Sequence, residues 1–111
     1  MKGLNKVMLI GNLGKDSDVK TLDGNIKVAK FSLATTETYK DDEGKTHSNT
    51  EWHNIVLWRG LADLAEKYLH QGSLVYIEGK IKTRSYDDKQ GIKKYVTEII
   101  AEQLILLDKK E

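Results

Sequence analysis

The sequence predicts an all-β chain: a five-stranded barrel with one short helix between strands 3 and 4. Three observations carry this. Apolar residues recur with period two through most of the chain, the pattern of half-buried strands. One stretch, residues 60–71, changes to helical spacing. Proline is absent, so nothing in the sequence kinks a strand or confines it to a sheet edge.

The first strand is expected over residues 4–13, closing at Gly14; Gly11 and Gly14 mark a bend or a close backbone approach. The second spans residues 25–39. Its apolar positions are even at Ile26 and Val28 but odd at Phe31 and Leu33, so a β-bulge is expected near Ala29 and Lys30. Residues 40–46 read as a polar turn, and the third strand follows over residues 46–59. In the helix, Leu61, Leu64, Ala65, Tyr68 and Leu69 form a stripe expected to plug the bottom of the sheet, with Gly72 as C-cap. The fourth strand covers residues 73–86 and the fifth 92–107, across a turn at 87–91. The apolar run Leu104, Ile105, Leu106, Leu107 suggests burial on both faces. Three strands, a helix and two strands form the order of the OB-fold, a Greek-key barrel that binds oligonucleotides or oligosaccharides. A length of 111 residues allows one such domain, over residues 1–111.

The third strand carries the functional signal. Trp52, Asn54, Val56 and Trp58 share one face; His53, Ile55 and Leu57 share the other and point to a core. The two tryptophans then project outward about 20 Å apart, at ~3.3 Å per residue. On the fourth strand Val75, Ile77, Gly79 and Ile81 face inward, while the outward series ends in Lys80, Lys82, Arg84 and Tyr86. Net charge is only +1, yet residues 80–95 hold six cations against two carboxylates. Single-stranded nucleic acid needs flat partners for its bases and cations for its phosphates. Trp52, Trp58 and Tyr86 supply the first, with Tyr39 as a fourth platform. Lys80, Lys82, Arg84 and Arg59 supply the second. Tyr68 and Tyr76 are assigned to packing, and Tyr95 stands between groove and barrel edge.

Other chemistries find little support. Without cysteine there is no disulfide framework and no zinc-thiolate site. His47, His53 and His70 lack metal-ligand spacing. No phosphate loop or nucleophile motif appears, so neither catalysis nor a cofactor or metal is expected. No apolar run approaches the ~20 residues of a membrane span, and the start of the chain lacks an apolar signal segment, so a cytoplasmic protein with no membrane partner is expected. The rival readings are an OB-fold accessory factor of the primosome, an RNA-binding OB protein, and a small metal-dependent nuclease.

Taken in order, several segments resemble the bacterial single-stranded DNA-binding proteins. They are Gly3-Leu4-Asn5-Lys6-Val7, Gly11-Asn12-Leu13-Gly14-Lys15-Asp16, Phe31-Ser32-Leu33-Ala34-Thr35, Thr50-Glu51-Trp52-His53, Ala65-Glu66-Lys67-Tyr68-Leu69, Gly72-Ser73, Val75-Tyr76-Ile77-Glu78-Gly79 and Thr83-Arg84-Ser85-Tyr86. The resemblance implies a homotetramer that wraps single-stranded DNA during replication, recombination and repair. It implies stacking at Tyr39, Trp52, Trp58 and Tyr86, and basic contacts at Lys2, Lys6, Lys82 and Arg84. It implies pairing of the first strand with its symmetry mate, and places His53 near subunit contacts. Tyr39 and Tyr86 stand where the family often has Trp, Trp58 where it often has Phe, and Asn54 and Gln71 where it often has a cation. The family usually adds an acidic tail that recruits replication and repair enzymes. This sequence ends Lys109-Lys110-Glu111, so tail-borne partners are not expected.

Overall fold

In the computed structural model, which describes residues 2–108, the elements run β1 (Val7–Leu13), β2 (Asp18–Leu22), β3 (Ile26–Lys40), β4 (Thr46–Trp58), α1 (Gly60–Tyr68), β5 (Leu74–Asp87) and β6 (Lys93–Leu106). The ending Lys109-Lys110-Glu111 lies outside the described residues. Strand order in the sheet is β1-β5-β6-β4-β3-β2, and β1 also pairs with β3. The ring β1-β5-β6-β4-β3-β1 is therefore a closed five-stranded barrel, as the alternating apolar pattern predicts. All neighbours are antiparallel except β4 and β6, which run parallel through Ile55–Ile99 and Val56–Ile100.

Inside sit Leu13, Ala29, Phe31, Leu33, Ile55, Leu57, Val75, Ile77, Ile99 and Ala101, with Ala62, Ala65 and Leu69 of the helix segment closing one end. Closure needs two very close backbone approaches. A Cβ at Gly11 would run into the carbonyl of Ala34, and one at Gly79 into the carbonyl of Ile100. Only glycine lets β1 meet β3, and β5 meet β6, at these corners.

Several sequence expectations are corrected. The polar segment Asp18–Leu22 forms a strand, β2, which extends the edge that β1 leaves on β3. Its hairpin turn holds Gly24 (φ 79°) and Asn25 (φ 61°) in the left-handed region. No bulge interrupts β3, which pairs continuously with β4 from Val28 to Lys40. Val28 is buried although it faces outward, because Trp58 lies directly opposite it on β4. The bulge falls at Glu102, the extra residue between the pairs Glu78–Gln103 and Gly79–Ala101. The helix stops at Tyr68 with Leu69 as C-cap, and Gly72 (φ 90°) serves the following turn. The helical stripe is narrower than expected: Leu64 and Tyr68 are exposed. Leu104 is half-buried, but Ile105 is exposed on the uncovered outer face beside Tyr76, and Leu106 and Leu107 are exposed at the end of the strand. No helix among the described residues is long and apolar enough to cross a membrane.

Candidate nucleic-acid interface

On the outer face of β3, β4, β6 and β5 the strand alternation sets side chains in rows. Val28 pairs with Trp58, Lys30 with Val56, Ser32 with Asn54 and Ala34 with Trp52. Across the barrel, Lys80 pairs with Ile100, Lys82 with Glu98, Arg84 with Val96 and Tyr86 with Lys94. Three shallow depressions cover this face, of about 370, 270 and 480 Å³. Lys30 and Arg84 line all three, and Trp58 lines two. Lys80 and Lys82 border the second depression, where Val56 and Ile100 form an apolar floor. Glu98 is the one carboxylate in this lining, and a flat ring set among four cations can take a base and its phosphates together.

Both tryptophans face outward as the alternation predicts, at 61% (Trp52) and 41% (Trp58) exposure. Trp52 lies over Gly14; a Cβ there would sit 2.5 Å from its ring. Tyr86 is also exposed, and the Arg84 guanidinium lies 5.9 Å from its ring centre, within cation–π range.

Arg84 is not a free cation. Its Nε donates to Glu98 Oε1 at 2.9 Å, and Nη2 to Oε2 at 3.4 Å. Glu98 is 7% exposed and also lies 3.9 Å from Lys30. The carboxylate beside it holds the Arg84 guanidinium above its ordinary pKa. Lys6 forms an ion pair with Glu78 at 2.9 Å on the outer face of β1 and β5, beyond the residues that line the depressions. Lys2 is exposed ahead of β1. Arg59 is exposed at the β4–α1 junction, its backbone left-handed (φ 57°), and lines none of the three depressions. Tyr39 belongs to the odd series of β3, so the register sets it on the opposite face of the β3–β4 ribbon from Trp52 and Trp58. His53 points inward, half-buried, with Nε2 2.9 Å from Thr35 Oγ1.

The sequence reading missed Lys30, Lys20 and Glu98. Lys30 sits in the outward series Val28, Lys30, Ser32, and the bulge expected at that point obscured its phase. Lys20, on the unforeseen strand β2, borders the third depression. Tyr68, assigned to packing, is 56% exposed on the helix. Tyr76 is half-buried and its hydroxyl donates to Glu78 at 2.6 Å. Tyr95 is largely exposed near the tip of the β5–β6 hairpin. Among the described residues no three His, Asp or Glu side chains converge as metal ligands would.

Residues 4–107 match the Single-strand binding protein family. The chain belongs to that family. A single-stranded DNA-binding protein 1 of Chlorobaculum tepidum is 49% identical over 99% of this chain and 68% of its own. A protein of the same name from Xylella fastidiosa is 43% identical over the whole chain and 82% of its own length. The Neisseria meningitidis single-stranded DNA-binding protein is 45% identical, and the match spans 60% of it. Among solved structures, the Plasmodium falciparum SSB complex with ssDNA superposes with a TM-score of 0.88 at 43% identity, covering 97% of this chain and 98% of that one. Members of this family are DNA-binding proteins without catalytic activity, which agrees with the non-enzymatic reading of the sequence.

Proposed function

We propose that this member of the single-strand binding protein family binds single-stranded DNA without sequence preference and keeps it unpaired during replication, recombination and repair. The observation that carries the reading is the depression where Trp58 meets Lys30, Lys80, Lys82 and Arg84 over the Val56 and Ile100 floor. Its charges suit phosphates and its ring a base, contacts that carry no sequence preference. Trp52 and Tyr86 extend the stacking track, and Lys94 lies beside Tyr86 in the ladder. Tyr39 is on the other face of the ribbon, so a strand that reaches it from Trp52 wraps around the β3–β4 hairpin. Lys2, Lys6 and Arg59 have a lesser place in this reading, since none borders a depression.

The active form in this reading is a homotetramer. Two surfaces support it. Among the described residues, the β1 edge opposite β5 carries no pairing from Val7 to Gly11, which leaves a template for a second β1. Met8, Ile10 and Ile105 also expose apolar side chains on one outer face of β1 and β6, beside Tyr76.

Titration with oligo-dT, followed by tryptophan fluorescence, tests the reading. Quenching at low salt that reverses as salt rises is the expected result. Unchanged emission at low salt would overturn it. Tighter binding of a matched RNA oligomer would favour the RNA-binding alternative.

A further inference from the structure

The hairpin joining β3 and β4 carries a chain of contacts that barrel closure does not require. Tyr39 and His47 are cross-strand partners in the ladder. Their rings stack with centroids 5.2 Å apart and planes inclined by 22°. The Nε2 of His47 lies 2.7 Å from Asp41 Oδ2. The other carboxylate oxygen of Asp41 accepts the N–H groups of Glu43 and Lys45, each at 2.9 Å. Two backbone bonds close the same turn: Asp41 N–H to the Lys45 carbonyl at 2.9 Å and Gly44 N–H to the Asp41 carbonyl at 3.0 Å. The turn therefore fixes Asp41, Asp41 fixes the imidazole, and the imidazole underlies Tyr39.

Tyr39 needs such support. It is 50% exposed, near the end of a ribbon whose far half leaves the barrel. An exposed aromatic side chain samples several rotamers, and ordering it on binding weakens affinity. A ring already stacked on one face loses less freedom when a base arrives on the other.

We infer that His47 is a positioning residue for DNA binding: clamped by Asp41, it holds the Tyr39 ring so that its free face receives a nucleobase. This rests on the reading of Tyr39 as a stacking platform. His47 itself then lies beneath the stack, shielded from the base by Tyr39.

The test measures the affinity of a labelled short oligo-dT by fluorescence anisotropy for the intact protein, Tyr39→Ala, His47→Ala, His47→Phe and the double variant Tyr39→Ala/His47→Ala. Tyr39→Ala is expected to weaken binding roughly five- to hundredfold, the range for loss of one stacked base. His47→Ala is expected to weaken it about two- to tenfold, the range for ordering one freed side chain. His47→Phe keeps the stack and should bind within about twofold of the intact protein. In the Tyr39→Ala background, His47→Ala should change nothing further, a result that mere structural damage does not give. Intact binding by His47→Ala, alongside a weakened Tyr39→Ala, overturns the positioning role and leaves Tyr39 a platform. An equal loss from His47→Ala with and without Tyr39 also overturns it. Intact binding by Tyr39→Ala overturns both this role and the reading of Tyr39.

Discussion

At the scale of single residues, the face divides into open side chains proposed to stack on bases and side chains tied to the fold. Trp52 lies over Gly14 and is otherwise open. Trp52→Ala should cost ~1–3 kcal/mol of DNA affinity with little change in Tm. Oligo-dT titration beside thermal melting reads both quantities. Gly14→Ala should also weaken binding, because the new methyl displaces the Trp52 ring. Lys82 and Arg84 separate in a different way. Lys82→Ala should weaken DNA binding evenly across sequences and lower the salt slope by about 1 while leaving Tm near the intact value. Arg84→Ala should lower affinity and Tm together, because it leaves the buried Glu98 with only the more distant Lys30. Breaking a fully buried pair costs ~3–5 kcal/mol. Arg84 is half-exposed, so solvent screens the pair and the loss of Tm should be smaller than for a fully buried one. Equal melting of the two variants would show that the Glu98 clamp contributes nothing to stability.

The elements depend on corners and crossings. Gly11→Ala or Gly79→Ala places a methyl group against a backbone carbonyl, where no flexible side chain can yield. Each should destabilise the barrel by ~1–3 kcal/mol, measured by urea unfolding. The β1–β5 pair carries a second, pH-dependent contribution. Glu78 accepts the Tyr76 hydroxyl and pairs with Lys6, and these contacts hold its carboxyl below the ordinary range. Its folded value is thus lower than its unfolded one. The stabilisation is complete above the unfolded value and fades as pH falls through the folded one, in the acid range beneath the ordinary carboxylate value. Glu78→Gln should flatten the dependence of Tm on pH in that acid range and leave the curve above pH 6 parallel to the intact protein.

For the whole molecule, the proposed tetramer would make affinity a property of the assembly as much as of one barrel. Linking several such faces raises avidity without any new contact. Light scattering should give a tetramer, and a charged residue at Ile10, as in Ile10→Glu, should shift it to smaller species and weaken binding to long single strands more than to short ones. An unchanged tetramer in Ile10→Glu would place the interface elsewhere. Log affinity should fall linearly with log salt, because released counterions drive the phosphate contacts.

Much of this was legible in the chain because strand alternation is a local property. The inward row Val75 and Ile77, the inward Ile55 and Leu57, the outward tryptophans and the cationic row of β5 follow from period two alone. A helix follows from the change of period over residues 60–71, although it ends at Tyr68, and the close approach at Gly11 follows from its missing side chain, whereas Gly79 read only as an inward position. Other features were hidden because they depend on which strand lies beside which. The polar β2 carries no apolar period and becomes a strand only by pairing with the edge of β3; Asp23-Gly24 was its one local signal. The bulge at Glu102 is fixed by the mismatch between β5 and β6, whose partners at that point are more than twenty residues apart. Lys30 belongs to the groove, Glu98 holds Arg84, and Tyr39 rests on His47 across a turn. Composition and alternation thus determined the barrel and the chemical character of its outer face. Closure and register decided which of those side chains meet, since a shift of one residue in any ladder sends every side chain to the opposite face.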